Sequence, residues 1–537
     1  MLEKNLLLVI SLLFIITLLT MLGNKLKVAY PIFLVIGGLL ISFVPGIPDL
    51  RIDPDIVFYI FLPPVLFAAS WQIPWADFWR LRQPIARFGF GLVFFTSTII
   101  AFLSQAIIPG FTLALGFVLG GIISPPDAVA ATSVLRRLNV PRNIVTLLEG
   151  ESLVNDASSL IVFRFALLAV MTGRFNLLDA TQSFFLMAIG GIFVGLAIGG
   201  ILYLIHRFFP TTTAIDTALT LVSPFVMYMV AEHFHFSGVL AVVSGGLFIS
   251  YHSHRIFSYS SRLNVNSVWE TVTFLLNGFI FILIGLQLPY LSRYFTHNTI
   301  KDALLYGVAI GVAVILIRIF WVFSINYFRR LIHKKKPLKG ELLTGKEAFL
   351  ISWCGMRGVV SLAAALSIPF FIQEDEIFPF RFFILFITFV AILITLVIPG
   401  LTIGPLLKWL KIEDKTAGQK RLDEQMIKLS LAQTSLHYID NHFQEDLEKD
   451  EHFRAVKNRY ERIIQISSQK LEGIKAGKTK PALSTAPRLK KMLLELISIK
   501  RTELAKYLQQ RSFDEELIRE KERELDLEEA RLRSKEV

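Results

Sequence analysis

The sequence predicts an all-α polytopic membrane protein of about thirteen transmembrane helices followed by a charged helical tail, and three observations carry that expectation. Of 537 residues, 53% are hydrophobic and 18% charged, and the mean hydropathy is +0.57. A soluble domain carries about 25% charged residues on its surface. The shortfall lies in residues 1–410, where apolar runs of membrane-crossing length recur between short polar loops. A hydrocarbon core about 30 Å thick takes about 20 apolar residues per helix, and a helix satisfies its backbone N–H and C=O groups within its own segment. A barrel, the other closed solution, would show alternating polarity in short strands, which these runs lack.

The runs fall near 6–22, 27–44, 55–70, 86–108, 111–135, 144–171, 182–208, 214–232, 237–250, 267–288, 302–328, 347–372 and 381–408. The first lacks a small-residue cleavage site and passes almost at once into the second, which predicts an uncleaved span, not a signal peptide. Every second loop is basic: Lys25 and Lys27; Arg80, Arg82 and Arg87; Arg136, Arg137 and Arg142; Arg207; Arg255 and Arg262; and the cluster Arg329, Arg330, Lys334, Lys335, Lys336 and Lys339. The alternate loops carry little positive charge: Arg51, Arg174, Arg293, Lys301 and Arg381. The positive-inside bias then puts the N-terminus outside and the C-terminus in the cytoplasm, which an odd number of spans also requires. The net charge of +12 thus belongs mostly to loops and tail, and points to membrane orientation, not nucleic acid. Cys354, the only cysteine, excludes an intrachain disulfide and a thiolate metal cage.

From about Lys411 the composition turns charged and helix-favouring. Phe453, Val456, Tyr460 and Ile464 share one helical face, as do Leu493, Ile497, Leu504 and Leu508, with Gly473, Gly477, Pro481 and Pro487 marking a linker between them. Apolar stripes need a partner, which favours packed cytoplasmic helices that regulate or assemble the protein over a passive tail.

Charges inside the spans demand a reason, since one near the bilayer centre costs at least about 2.5–3.5 kcal/mol. Most lie in the fifth, sixth, eleventh and twelfth runs: Asp127, Glu151, Asp156, Arg164, Arg318 and Arg357. Glu232 and Glu270 sit nearer predicted ends, where snorkelling suffices. The fifth run reads Gly120-Gly-Ile-Ile-Ser-Pro-Pro-Asp127, and two glycines followed by two prolines cannot continue a helix unbroken. An interrupted crossing helix there would turn freed carbonyls and half-helix ends toward a midplane ion site. Asp127 could cap the following half-helix or face a cation. The sixth run opens GESLVNDASSL. Ser152 and Asp156 share one helical face, Glu151 and Asn155 an adjacent one, giving two carboxylates, a hydroxyl and an amide, the oxygen ligands that hard cations prefer. In the twelfth run Gly355 and Gly358 bracket Arg357, suggesting a second break with a cation at the C-terminal end of a half-helix. Arg318, flanked by Ile317, Ile319 and Phe320, needs an acidic partner, and Glu151 is the best candidate. Two broken helices in opposite halves form the inverted-repeat signature of secondary transporters.

At these residues the chain resembles the sodium/proton exchangers of the monovalent cation:proton antiporter-1 family, especially bacterial members, over about residues 5–410. GESLVND is the most specific piece. The spacing of Asp127 and Glu151, AEHFHFSG around Glu232, SVWETVTF around Glu270, the IRIF arginine and the MRG motif add to it. The resemblance implies a 13-helix homodimeric antiporter of the cytoplasmic membrane, needing no cofactor. A core of about 86–171 and 302–408 would move against a dimerisation scaffold of about 6–70 and 182–288. It casts Asp156 as the carboxylate that takes cation and proton in turn, with Ser152, Asp127 and the Pro126 carbonyl as ligands or organisers around Na+. Asn155 would tie the two broken helices together, Glu151 would pair with Arg318, and Arg357 would organise the second break. An Asn-Asp pair at 155–156 implies electroneutral one-for-one exchange. Two features depart from the family: Pro125-Pro126-Asp127 lacks the threonine that many relatives place before the aspartate, and Arg164 lies outside the motif.

Three other readings stay open. K+ or Li+ in place of Na+ would use the same oxygen ligands, with selectivity set by cavity size. A cation channel would show a filter motif or rings of charge. A membrane enzyme could use Glu232, His233 and His235 as metal ligands, although their spacing is not HExxH.

Overall fold

The computed structural model describes residues 2–26, 29–44, 56–135, 140–292, 295, 297–332, 343–373, 376–411, 417–475, 485–510 and 515–533. They form two compact units, Met1–Asp414 and Lys415–Val537.

In the first unit the helices are α1 (Leu2–Leu26), α2 (Tyr30–Ser42), α3 (Val57–Gln72), α4 (Trp75–Arg80), α5 (Arg82–Ile107), α6 (Leu113–Ile123), α7 (Ala128–Leu135), α8 (Arg142–Thr172), α9 (Leu177–Phe208), α10 (Thr213–His233), α11 (Gly238–Ile256), α12 (Tyr259–Ser292), α13 (His297–Ile332), α14 (Gly345–Trp353), α15 (Val359–Leu366) and α16 (Arg381–Leu410). Every predicted run contains helix. Among the described residues, nine helical segments are long and apolar enough to cross a membrane, with α6 and α7 taken as one. A count of thirteen is therefore not reached on length and composition. The four runs outside the nine are α2 and α3, which are shorter apolar helices, α11, and the twelfth, which is split into α14 and α15. That run also ends earlier than predicted: helix stops at Leu366, and Phe371–Gln373 pairs antiparallel with Glu376–Ile377. The preceding Pro369, which lacks an N–H, cannot extend the helix.

Local sequence explains the ends. Thr112, Asn176, Thr212 and Ser237 each accept a backbone N–H at a helix start, and Thr344 with Glu347 forms a full capping box on α14. Gly173 ends α8 in the left-handed region at φ 66°. Inside the bundle, close backbone approach replaces large side chains. A Cβ on Gly285 would lie 2.9 Å from the Gly38 carbonyl carbon, so glycine at both positions lets α2 and α12 touch.

Of the basic loops that suggested orientation, Lys27, Arg136, Arg137, Lys334, Lys335, Lys336 and Lys339 lie outside the described residues, as do Arg51 and Arg293. In the second unit the helices are α17 (Ala417–His442), α18 (Gln444–Lys449), α19 (Glu451–Lys475), α20 (Thr485–Gln510) and α21 (Glu515–Arg533). Gly473 lies within α19 and Pro487 in the first turn of α20, so the expected linker narrows to residues that include Gly477 and Pro481, outside those described. The predicted stripe on α19 is covered unevenly: Tyr460 and Ile464 are half-buried, and Leu471, two turns beyond Ile464 on the same face, continues it, while Phe453 and Val456 are exposed. Val456 is 48% exposed, whereas Leu471 is 7% exposed. Ile497 on α20 is buried, and Arg501 bridges α20 to Asp526 and Glu529 of α21.

Candidate functional site

Two helices are interrupted, and their interruptions meet. The first lies between α6 and α7 at Ser124–Asp127; the second lies between α14 and α15 at Cys354–Gly358. The Asp127 backbone N–H donates to the Met356 carbonyl at 2.6 Å, joining the two breaks.

Charges at this crossing are sorted by helix polarity. The Asp127 carboxylate accepts the Val129 N–H at 2.8 Å in the first turn of α7. It also lies at the start of α15, where the Val359 N–H favours its charged form. One acid thus serves the N-terminal ends of two half-helices, each equivalent to about half a positive charge. Arg357, 1% exposed, does the converse. It donates to Ile123 O at 2.9 Å and Ser124 O at 3.1 Å at the end of α6, and to Gly355 O at 2.7 Å just beyond α14. Gly358 makes room for this arrangement: a Cβ there would meet the Asp127 Cγ at 2.8 Å.

Helix α8 supplies the remaining groups. Ser152 Oγ accepts the Ala128 N–H at 3.3 Å, capping α7 a second time. Asn155 donates Nδ2–H to the Pro126 carbonyl at 3.0 Å, while its own Oδ1 is buried without a hydrogen-bond partner among the described residues. The Pro126 oxygen is thereby engaged on one of its two lone pairs. Glu151 and Arg318, each 1% exposed, form a two-pronged ion pair at 2.5 and 2.8 Å. Arg318 Nε also donates to Ile351 O at 3.3 Å. Asp156 differs from all of these. It is 6% exposed, and among the described residues its carboxylate makes no hydrogen bond and no ion pair. Its electrostatic neighbour is the Asp127 carboxylate.

Two expectations change, those for Asn155 and Glu232. Asn155 ties α8 to the first break only; the two broken helices are joined by Asp127 and Arg357 themselves. The half-helix C-terminal end that Arg357 mainly serves is that of α6. Arg164 has an acid, Glu232, at 2.8 Å, and the other Glu232 oxygen accepts the Gly238 N–H at 3.2 Å. Glu232 is therefore neither a simple snorkelling group nor free to join His233 and His235 on a metal. Among the described residues no three His, Cys, Asp or Glu side chains converge as a metal site. Sequence reasoning missed Met356 O and the Val359 N–H, because backbone groups carry no residue signature; the MRG motif was the available pointer.

Residues 9–409 match the family model described as sodium/hydrogen exchanger, transmembrane. The chain belongs to the sodium/hydrogen exchanger family. Members of that family among curated proteins include the sodium, potassium, lithium and rubidium/H+ antiporter of Bacillus pumilus, 33% identical over 69% of this chain and 56% of the relative. A Na+/H+ antiporter of Halobacillus dabanensis is 29% identical over 70% of this chain and 91% of the relative. The chain thus spans just over half the length of the Bacillus pumilus relative. Among solved structures, the sodium proton antiporter of Methanocaldococcus jannaschii at pH 8 superposes with a TM-score of 0.60 at 21% identity. That match covers 77% of this exchanger-family chain and all of the other, a likeness of fold. The exchanger-family chain is a multi-pass membrane protein.

Proposed function

We propose that the protein is a secondary antiporter that exchanges a monovalent cation, Na+ first, for H+ by alternating access. One observation carries the reading: Asp156 is a buried carboxylate with no partner among the described residues, beside a second carboxylate, in a site whose other charges are already compensated. A buried carboxylate is costly when bare. A proton or a cation can neutralise it, and each makes the other redundant, so the two compete for one position. The site-bearing helices then cross between states only when Asp156 is loaded, because carrying a bare charge through the membrane costs at least about 2.5–3.5 kcal/mol. Coupling follows without any cofactor.

Ser152, Asp127, the remaining lone pair of Pro126 O and the unpartnered Asn155 Oδ1 are oxygen donors of the kind Na+ prefers. With Asn rather than a second acid at 155, one charge is compensated per cycle, which favours electroneutral exchange. The names of curated relatives add potassium, lithium and rubidium to sodium, so the cation range extends to K+ and Li+. A homodimer, thirteen crossings related by an inverted repeat, a core of about 86–171 and 302–408 working against the remaining helices, and a cytoplasmic C-terminus in the cell membrane complete the reading.

The test is a pH jump on proteoliposomes carrying the whole chain, with Na+, K+ and Li+ offered in turn. The wild type dissipates the proton gradient when cation is added, with apparent affinity falling as pH falls, and Asp156→Asn shows only background leak. Exchange by Asp156→Asn at the wild-type rate overturns the reading, and currents without saturation favour a channel.

A further inference from the structure

Away from the crossing, a 630 Å³ cavity opens between α5, α6, α8 and α9. Its size lies within the range of about 300–1,000 Å³ typical of ligand pockets. Small residues, Ala114, Ala166, Ala169 and Ala180, hollow it out, and phenylalanines, including Phe94 and Phe185, rim it. Phe94 is 43% and Phe185 56% exposed, so the cavity is open at the surface of the bundle.

We infer that this cavity binds an acyl chain of a membrane phospholipid whose phosphate is held by Arg174. Four observations support one occupant of that chemistry. All four walls belong to segments long and apolar enough to cross a membrane, so hydrocarbon is the medium outside. The lining is apolar except for two threonines, Thr98 and Thr181, and the Thr98 hydroxyl already donates to Phe94 O at 2.8 Å, so an apolar cavity here suits an apolar guest. Phe175, which lines the cavity, is preceded in the short α8–α9 turn by Arg174. The Arg174 guanidinium is exposed and makes no ion pair or hydrogen bond among the described residues, which leaves its planar fork free for a phosphate. Asp179, in the first turn of α9, complements that helix's own N-terminus.

The position gives such a lipid a consequence. Ile161 and Val162 line the cavity on α8, little more than one turn beyond Asp156, while Thr181 and Phe184 line it on α9. A seated chain therefore fills the seam between the helix that carries the partnerless carboxylate and its neighbour. This goes beyond the antiport reading and does not depend on it, since lipid occupancy is measured without transport.

The full-length protein is reconstituted with phosphatidylglycerol carrying a photoactivatable group at mid-chain, crosslinked, and its labelled peptides mapped. Retained phospholipid is counted in parallel by native mass spectrometry. The wild type concentrates label on the 161–169 and 180–185 peptides. Filling the cavity with Ala166→Phe, or with Ala169→Leu if thermal unfolding shows the first variant misfolded, removes that label. Arg174→Gln, in an exposed turn, weakens retention by about fivefold, as expected for one basic group at a lipid surface. Label spread evenly over all lipid-facing helices, or unchanged in the filled and Arg174 variants, means annular lipid only and overturns the proposal. Crosslinks from Phe185 to a second copy, with no lipid label at the cavity, overturn it in favour of a protein contact.

Discussion

Glu151 and Asp156 lie on the same helix at similar depth, 1% and 6% exposed, yet they answer opposite problems. Glu151 is matched by Arg318 with two hydrogen bonds; Asp156 is matched by nothing among the described residues. Breaking a buried pair from one side leaves a bare charge and costs about 3–5 kcal/mol, whereas replacing both members with apolar groups can be neutral. Arg318→Met alone should therefore lower the unfolding temperature in detergent markedly, and Glu151→Leu combined with Arg318→Met should recover most of the loss. Asp156→Asn should leave that temperature unchanged or raise it, because it removes an uncompensated charge without stranding a partner. If Asp156→Asn proved as destabilising as Arg318→Met, Asp156 would be a structural acid. The partnership of Arg318 was legible from the cost of an unpaired charge. The partnership of Arg164 with Glu232 was not, because one acid among several across 68 residues has no sequence mark.

At the level of elements, the crossing is an electrostatic joint: an acid where two half-helices start and a guanidinium where helical segments end. Gly358→Ala would force a Cβ to 2.8 Å from the Asp127 Cγ. Overpacking of this kind costs about 1–3 kcal/mol, and it would shift Asp127 off two N-termini at once. The expected result is a lowered unfolding temperature together with a larger proportional loss of exchange, and wild-type exchange by the Gly358→Ala protein would contradict the joint. A second link, Arg164 to Glu232, ties α8 to α10. Removing Arg164 alone strands the Glu232 carboxylate, whose side chain is only 16% exposed, so Arg164→Met should lower the unfolding temperature. The swap Arg164→Glu with Glu232→Arg should restore whatever exchange rate the single changes alter. The breaks themselves were readable from Pro125, Pro126, Gly355 and Gly358. The sorting of charges across them was not, since Arg357 reaches a carbonyl 234 residues away in sequence.

Over the whole molecule, the fold class was legible because lipid admits so few solutions, and span length and low charge select among them. The number of crossings was less so. Hydropathy cannot separate a full span from the short α2 and α3 or the paired halves α14 and α15. The Asp440 carboxylate beside Lys457 holds its ammonium above the usual lysine range. A raised lysine contributes fully below its unfolded value, near pH 10, and is lost only as pH rises beyond it. Salt, not physiological pH, should weaken that link. The pH dependence proposed for exchange is assigned to competition at one carboxylate, Asp156. The most direct measurement is proton release from purified, weakly buffered full-length protein on addition of Na+. The account predicts release approaching one proton per bound cation from the wild type at a pH where Asp156 is protonated, and none from Asp156→Asn. Cation binding without proton release, or equal release from both proteins, would contradict it.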